Sequence, residues 1–217
     1  MILTKKRLYS REEPSRDAKL IIIYCEGKKR EDLYFNYFAE ISSKIRLEIE
    51  PPSQHDDTSP LGLYDKAVSQ IIKSDENNKN PKYELTTSDE VWFVIDTDDW
   101  GDKITELRKK CESHTNWLIA QSNPCFEVWL FYHFFLFEEF DGMEVSQNWK
   151  DFLNTKVSGG FDSRKHPIFI QKAIENAKSK FEKEITIGST EIFKLAENFY
   201  PLVKDKIDVA LKKTEDI

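Results

Sequence analysis

The chain has 217 residues, of which 33% are charged and 13% aromatic, with seven glycines and a formal net charge of −7. These proportions describe a folded, helix-leaning chain and exclude collagen-like, low-complexity and disordered classes. The negative balance argues against a general nucleic-acid coat protein but not against a nuclease, because a local basic patch or a bound metal overrides the mean.

No run of eighteen or more apolar residues occurs, so no membrane-spanning helix is expected. The start, Met1-Ile2-Leu3-Thr4-Lys5-Lys6-Arg7, lacks the apolar centre of a secretory signal. Cys25, Cys111 and Cys125 have no metal-like spacing, which fits reduced thiols and a cytoplasmic location. The length suits one domain, residues 1–217, with a substantial core.

Residues 1–18 are polar and carry Lys5, Lys6, Arg7, Arg11 and Arg16. They read as a solvated tail, with a phosphate-contacting arm as the alternative. Leu20–Cys25 is an unbroken apolar run and the first expected strand, stopping at Glu26-Gly27. From Glu31 the pattern turns helical, with Leu33, Tyr34, Tyr37, Phe38 and Ile41 on one face. Residues 45–50 alternate and form a second strand nearer an edge, ended by Pro51-Pro52. A helix is expected over about 60–73, with Pro60 in its first turn, and then a flexible surface connection over 74–88.

Val91-Trp92-Phe93-Val94-Ile95 reads as a strand buried on both faces, and it ends abruptly in Asp96-Thr97-Asp98-Asp99. Asp96 and Asp98, two apart, point to the same side, and carboxylates held that close repel unless a cation or proton intervenes. An all-oxygen donor set suits Mg²⁺ or Mn²⁺; the alternative is a turn or a helix cap. A helix over about 103–111 follows, then a strand over 116–120 and an apolar helix from Cys125 to about Phe137. Residues 145–217 have helical periodicity around a Gly159-Gly160 loop.

Strand–helix alternation implies a parallel sheet of about four strands flanked by helices, an α/β fold with a mainly helical C-terminal region. In such a sheet Glu26-Gly27, Asp96-Thr97-Asp98 and Ser122-Asn123 lie on one edge, which favours the metal reading of the aspartates. An acidic residue after the first strand with Asp-x-Asp after a later one resembles the Toprim domain of topoisomerases, primases and several nucleases. The run Ser122-Asn123-Pro124-Cys125-Phe126-Glu127-Val128-Trp129-Leu130 closing on His133-Phe134, with Glu26-Gly27 and Tyr34-Phe35, resembles the narrower RloB family. That resemblance covers about 18–137, with a weaker echo at Gly188-Ser189-Thr190; Arg30 stands where a threonine is usual, and Thr97 where a basic residue is common. It implies a Toprim-type nuclease of bacterial antiphage defence, acting on DNA or RNA (transfer RNA included) beside an ABC- or AAA-type ATPase partner.

On this reading Asp96 and Asp98 hold Mg²⁺ or Mn²⁺, and Glu26 is a further ligand or a general acid/base. Glu31 reaches the same metal or complements the dipole of its helix. Glu127, an acid in an apolar helix, needs a partner: a second metal, a phosphate-side role or an ion pair. Gly27, Lys28, Lys29 and Arg30 are candidate phosphate contacts or a solvated basic loop. Ser122 and Asn123 orient a ligand or cap the helix near Pro124, and His133 is a hydrogen-bonded core histidine, with catalysis as the alternative. A homodimer is an open possibility. The alternative function is a non-catalytic subunit that binds the ATPase and keeps a regulatory or structural metal.

Overall fold

The computed structural model describes residues 13–15, 17–73, 80–97, 100–139 and 146–215. Four strands, β1 (Lys19–Cys25), β2 (Ile45–Glu50), β3 (Glu90–Asp96) and β4 (Trp117–Ser122), form one sheet. Their order is β2-β1-β3-β4 and every pairing is parallel. The expected α/β fold is therefore the observed one, and β2 is an edge strand as its alternation implied. Register sets Tyr24 beside Glu50, Cys25 beside Val94 and Asp96 beside Ser122.

Both faces of the sheet are covered, which explains why β1 and β3 are apolar without a break. Ile21, Ile23, Cys25, Trp92, Val94 and Ala120 belong to one core cluster, and Leu20, Ile22, Tyr24, Val91, Phe93 and Ile95 to the other. This is the period-two alternation of a pleated strand. α2 (Pro60–Ile71) and α3 (Gly101–Cys111) cover the second face, with Leu63, Ala67, Ile104 and Leu107 buried. Ser59 caps α2 by accepting from the Gly62 N–H at 3.2 Å.

The first face takes α1 (Arg30–Phe35), α4 (Glu127–Phe131), α5 (Ser146–Lys156), α6 (Ile170–Lys180) and α7 (Ile192–Glu215). Phe38, Trp129, Leu153, Ile174, Phe199 and Ile207 share one cluster with the strands, so the C-terminal helices complete this face. Gly159 and Gly160, at φ 77° and 70°, form the expected loop between α5 and the turn at His166–Phe169.

Three expectations need correction. α1 has six residues, and Leu33 is 48% exposed; Tyr34, Phe35, Tyr37, Phe38 and Ile41 form the buried set. The helix expected from Cys125 to about Phe137 spans only Glu127–Phe131. Its following carbonyls are taken by α6: Asn176 Nδ2 donates to Tyr132 O at 2.9 Å and Phe135 O at 3.1 Å, and Lys172 Nζ to Phe134 O at 2.8 Å. Those side-chain donors satisfy groups that a longer helix would have paired internally.

The connection over 74–88 is also not loose throughout its described part, residues 80–88. Tyr83 is buried and donates to Glu50, the last residue of β2, while Lys82 donates to the same carboxylate. Glu50 is held below its usual range by these partners and Gln70, against the opposing effect of burial. Asp89 accepts from the Leu20 N–H at 2.8 Å, tying the connection to β1 as well. Among the described residues, no helix is long and apolar enough to cross a membrane.

Candidate functional site

The strand order identifies where a ligand should sit. β1 is followed by β2 on one side, and β3 then lies on the other, so the chain switches direction between β1 and β3. Open α/β sheets bind ligands outside the carboxyl ends of strands at such a switch point. Glu26 leaves β1 there and Asp96 ends β3 there.

The two are joined directly. The Glu26 N–H donates to Val94 O at 3.2 Å, extending the ladder by one residue. Its side chain then turns back to β3: Oε2 accepts from the Asp96 N–H at 3.2 Å, and Oε1 from Trp100 Nε1 at 2.7 Å. One donor is the last residue of β3 and the other the residue before α3, so the end of one strand and the start of the next helix orient the carboxylate that follows β1.

Thr97 fixes that turn from the far side. Its N–H is shared between Ser122 O at 2.8 Å and Pro124 O at 3.1 Å, and its hydroxyl donates to Ser122 O at 2.8 Å. Gln121 Nε2 donates to Thr97 Oγ1 at 2.9 Å, and Arg108 Nη2 donates to Gln121 Oε1 at 2.9 Å. Arg108 also pairs with the buried Glu191 at 2.6 Å, and Lys194 pairs with Glu191 at 2.7 Å. A polar chain thus runs from the segment before α7, through β4, to the residue after Asp96.

On the β1 side, Gly27 makes room for Glu31. A Cβ at position 27 would lie 2.1 Å from both Glu31 carboxylate oxygens. Glu31 is buried, and its pKa is raised by that burial, then by the charges of Glu127 and Glu26, against its backbone hydrogen bond and Arg30. Glu127, 3% exposed, pairs with Arg30 Nη1 at 2.9 Å. Burial raises the Cys125 thiol, with the charges of Glu127 and Asp96 adding to the effect. Glu26, Glu31, Asp96 and Glu127 therefore act electrostatically on a common region.

The remaining sequence candidates separate. Lys28 and Lys29 are exposed in the loop before α1. Arg30, a candidate phosphate contact, pairs with Glu127 and so supplies the partner that this buried acid needs. Ser122 is fully buried, its Oγ 2.8 Å from Thr190 Oγ1, and neither it nor Asn123 caps α4, which has no side-chain cap. Asn123 uses its backbone, donating to Ser189 O at 3.0 Å and accepting from the Gly188 N–H at 2.8 Å. This antiparallel contact, with the Ser122–Thr190 bridge, explains the echo at Gly188-Ser189-Thr190.

Asp98 and Asp99 lie outside the described residues. Among the described residues, no three His, Cys, Asp or Glu side chains are grouped closely enough to hold a metal ion. His133 is the buried core histidine expected, 1% exposed, with Nδ1 3.1 Å from Trp129 O and Nε2 3.1 Å from Tyr34 Oη. Sequence reasoning missed Trp100, Gln121, Arg108 and Glu191; a lone tryptophan after an acidic run and a polar residue late in a strand carry no periodic signal.

The family of RloB-like proteins matches residues 21–203. The chain belongs to the RloB-like family. The match continues past the expected 18–137 through the α5–α6 region into α7, which agrees with the shared core of the first face and with the docking of residues 188–191 on β4. No curated protein and no solved structure matches this RloB-like chain.

Proposed function

We propose that this RloB-like protein is a Toprim-type, metal-dependent nuclease that hydrolyses phosphodiester bonds in DNA or RNA, transfer RNA included. In this reading it is a cytoplasmic effector of antiphage defence working with an ABC- or AAA-type ATPase. The observation that carries it is the tie between Glu26, just after β1, and the Asp96 backbone at the topological switch point. Family membership supports the same reading.

The donor chemistry fits a hard divalent cation. Glu26 and Asp96 are oxygen donors, and the neighbouring Glu31 is raised by like charge as well as by burial. Glu26, Asp96 and Asp98 would hold Mg²⁺ or Mn²⁺. Bound there, the ion would polarise a phosphate oxygen and lower the pKa of an attacking water. Glu31, inclined to keep its proton by its surroundings, suits a general acid at the leaving oxygen. Lys28 and Lys29 supply charge for the flanking phosphates. Gly27 lets the backbone approach them while leaving Glu31 its room.

Asp96→Ala and Asp98→Ala each should abolish Mg²⁺-dependent cleavage of labelled plasmid, single-stranded DNA or total transfer RNA, with the thermal melt preserved. Full cleavage by both variants sinks the proposal. A second reading, a non-catalytic subunit that binds the ATPase, draws on Arg30 neutralising Glu127 and on the two donors already engaging Glu26. It predicts that the wild-type protein cleaves none of these substrates, with or without its partner.

A further inference from the structure

Trp100 has an unusual position for an indole. It stands at the N-terminal end of α3, partly buried against the Leu20, Ile22 and Ile104 cluster, so its ring is anchored in the second core. From that anchor its N–H donates to Glu26 Oε1 at 2.7 Å. Lys103 Nζ lies 4.6 Å from the centre of the same ring. The other Glu26 oxygen accepts from the Asp96 N–H at 3.2 Å.

We infer that Trp100 is a positioning residue for the acidic edge, holding the Glu26 carboxylate in the orientation in which it receives a divalent cation, and that its indole responds to that cation. The inference rests on the metal reading proposed above. A free glutamate side chain loses rotamer entropy when it is fixed. Here the two donors fix it before any ligand arrives, which is preorganisation rather than contact with the ion. One donor ends β3 and the other opens α3. Because the indole N–H is bonded to Glu26 Oε1, an ion that engages this carboxylate alters the surroundings of the indole.

Packing alone would give Trp100 a structural role, and the two roles differ in what they move. Trp100→Phe keeps a ring and removes the N–H; Lys103→Met removes the cation over the ring and keeps the N–H. Each purified variant and the wild type are titrated with Mn²⁺ by calorimetry, and tryptophan emission is followed in parallel. A hydrogen bond to a charged group predicts Mn²⁺ affinity roughly ten- to a hundredfold weaker in Trp100→Phe, and unchanged in Lys103→Met.

The emission change on Mn²⁺ addition, present in wild type, should vanish in Trp100→Phe although four tryptophans remain. Trp100→Met replaces the phenylalanine variant if that one does not fold. Equal Mn²⁺ affinity in wild type and Trp100→Phe overturns the positioning role while leaving the metal reading intact. A wild type that binds no Mn²⁺ overturns both. Failure of both Trp100 variants to fold assigns the residue to packing and also overturns the inference.

Discussion

Gly27 and Glu31 claim one volume: the buried Glu31 carboxylate fills the space that a Cβ at position 27 would need, with both oxygens 2.1 Å from it. A glycine after a strand is often taken as a backbone requirement, but Gly27 is not among the residues with positive φ. Its role is the absence of a side chain. Gly27→Ala should cost about 1–3 kcal/mol by overpacking and should impair cleavage, because Glu31 must move. In a Glu31→Ala background the same substitution should cost only a few tenths of a kcal/mol. Urea denaturation of the two single variants and the double variant measures that coupling, and strict additivity disproves the steric account.

Arg30 and Glu127 form an ion pair across the start of α1 and the start of α4, with the glutamate side chain 4% exposed. Removing the cation leaves a buried charge without compensation. Arg30→Ala should therefore destabilise the protein by about 1–2 kcal/mol. This is less than for a fully buried pair, because the Arg30 side chain is 45% exposed and solvent screens the charges. Arg30→Ala combined with Glu127→Gln should recover much of that loss. If Arg30→Ala shifts the urea midpoint no more than a surface change does, the pair is not structural.

His133 supplies a pH dependence whose sign follows from its contacts. The Trp129 carbonyl can only accept, so Nδ1 carries the hydrogen and Nε2 accepts from the Tyr34 hydroxyl. Burial pushes the imidazole down to about 3. The unfolded chain takes up this proton near pH 6.5, the folded protein only near 3, so stability is full above 6.5 and falls as pH drops between these values. The slope from this group is at most about 1.4 kcal/mol per pH unit. Denaturation midpoints of wild type and His133→Phe at pH 7.5, 6 and 5 should converge as pH falls; parallel curves contradict the assignment.

The β4 end and the segment before α7 are joined by Ser122–Thr190, Asn123–Ser189 and Gln121–Glu191 contacts, and the first face of the sheet is closed by α5, α6 and α7. Residues 18–137 produced alone should lack a cooperative thermal transition by far-ultraviolet circular dichroism, whereas the full chain should show one. A cooperative melt of the fragment, with native-like secondary structure, shows instead that the core is independent of its C-terminal helices.

The strands were legible in the sequence because parallel strands buried on both faces are continuous apolar runs, and β1 and β3 are the purest examples here. Glu26 and Asp96 were legible as candidates because carboxylates interrupting such runs must stand at strand ends. Helix lengths were less legible. α4 stops at Phe131 because Asn176 and Lys172, about forty residues away, satisfy the carbonyls that follow it. The anchoring of residues 82 and 83 to Glu50 is likewise a contact between distant segments that no local pattern carries.

By itself the sequence determined the strands, the acidic punctuation of their ends and the resemblance to one family, since these depend on side-chain type and spacing within short windows. Only the tertiary structure decided the strand order, and with it the switch point that brings Glu26 to the Asp96 backbone. It also decided that Ser122 is occupied by Thr190, that Arg30 answers Glu127, and that Trp100 reaches Glu26. Each is a pairing across dozens of residues, fixed by which buried polar group has to find a partner once the sheet is covered on both faces.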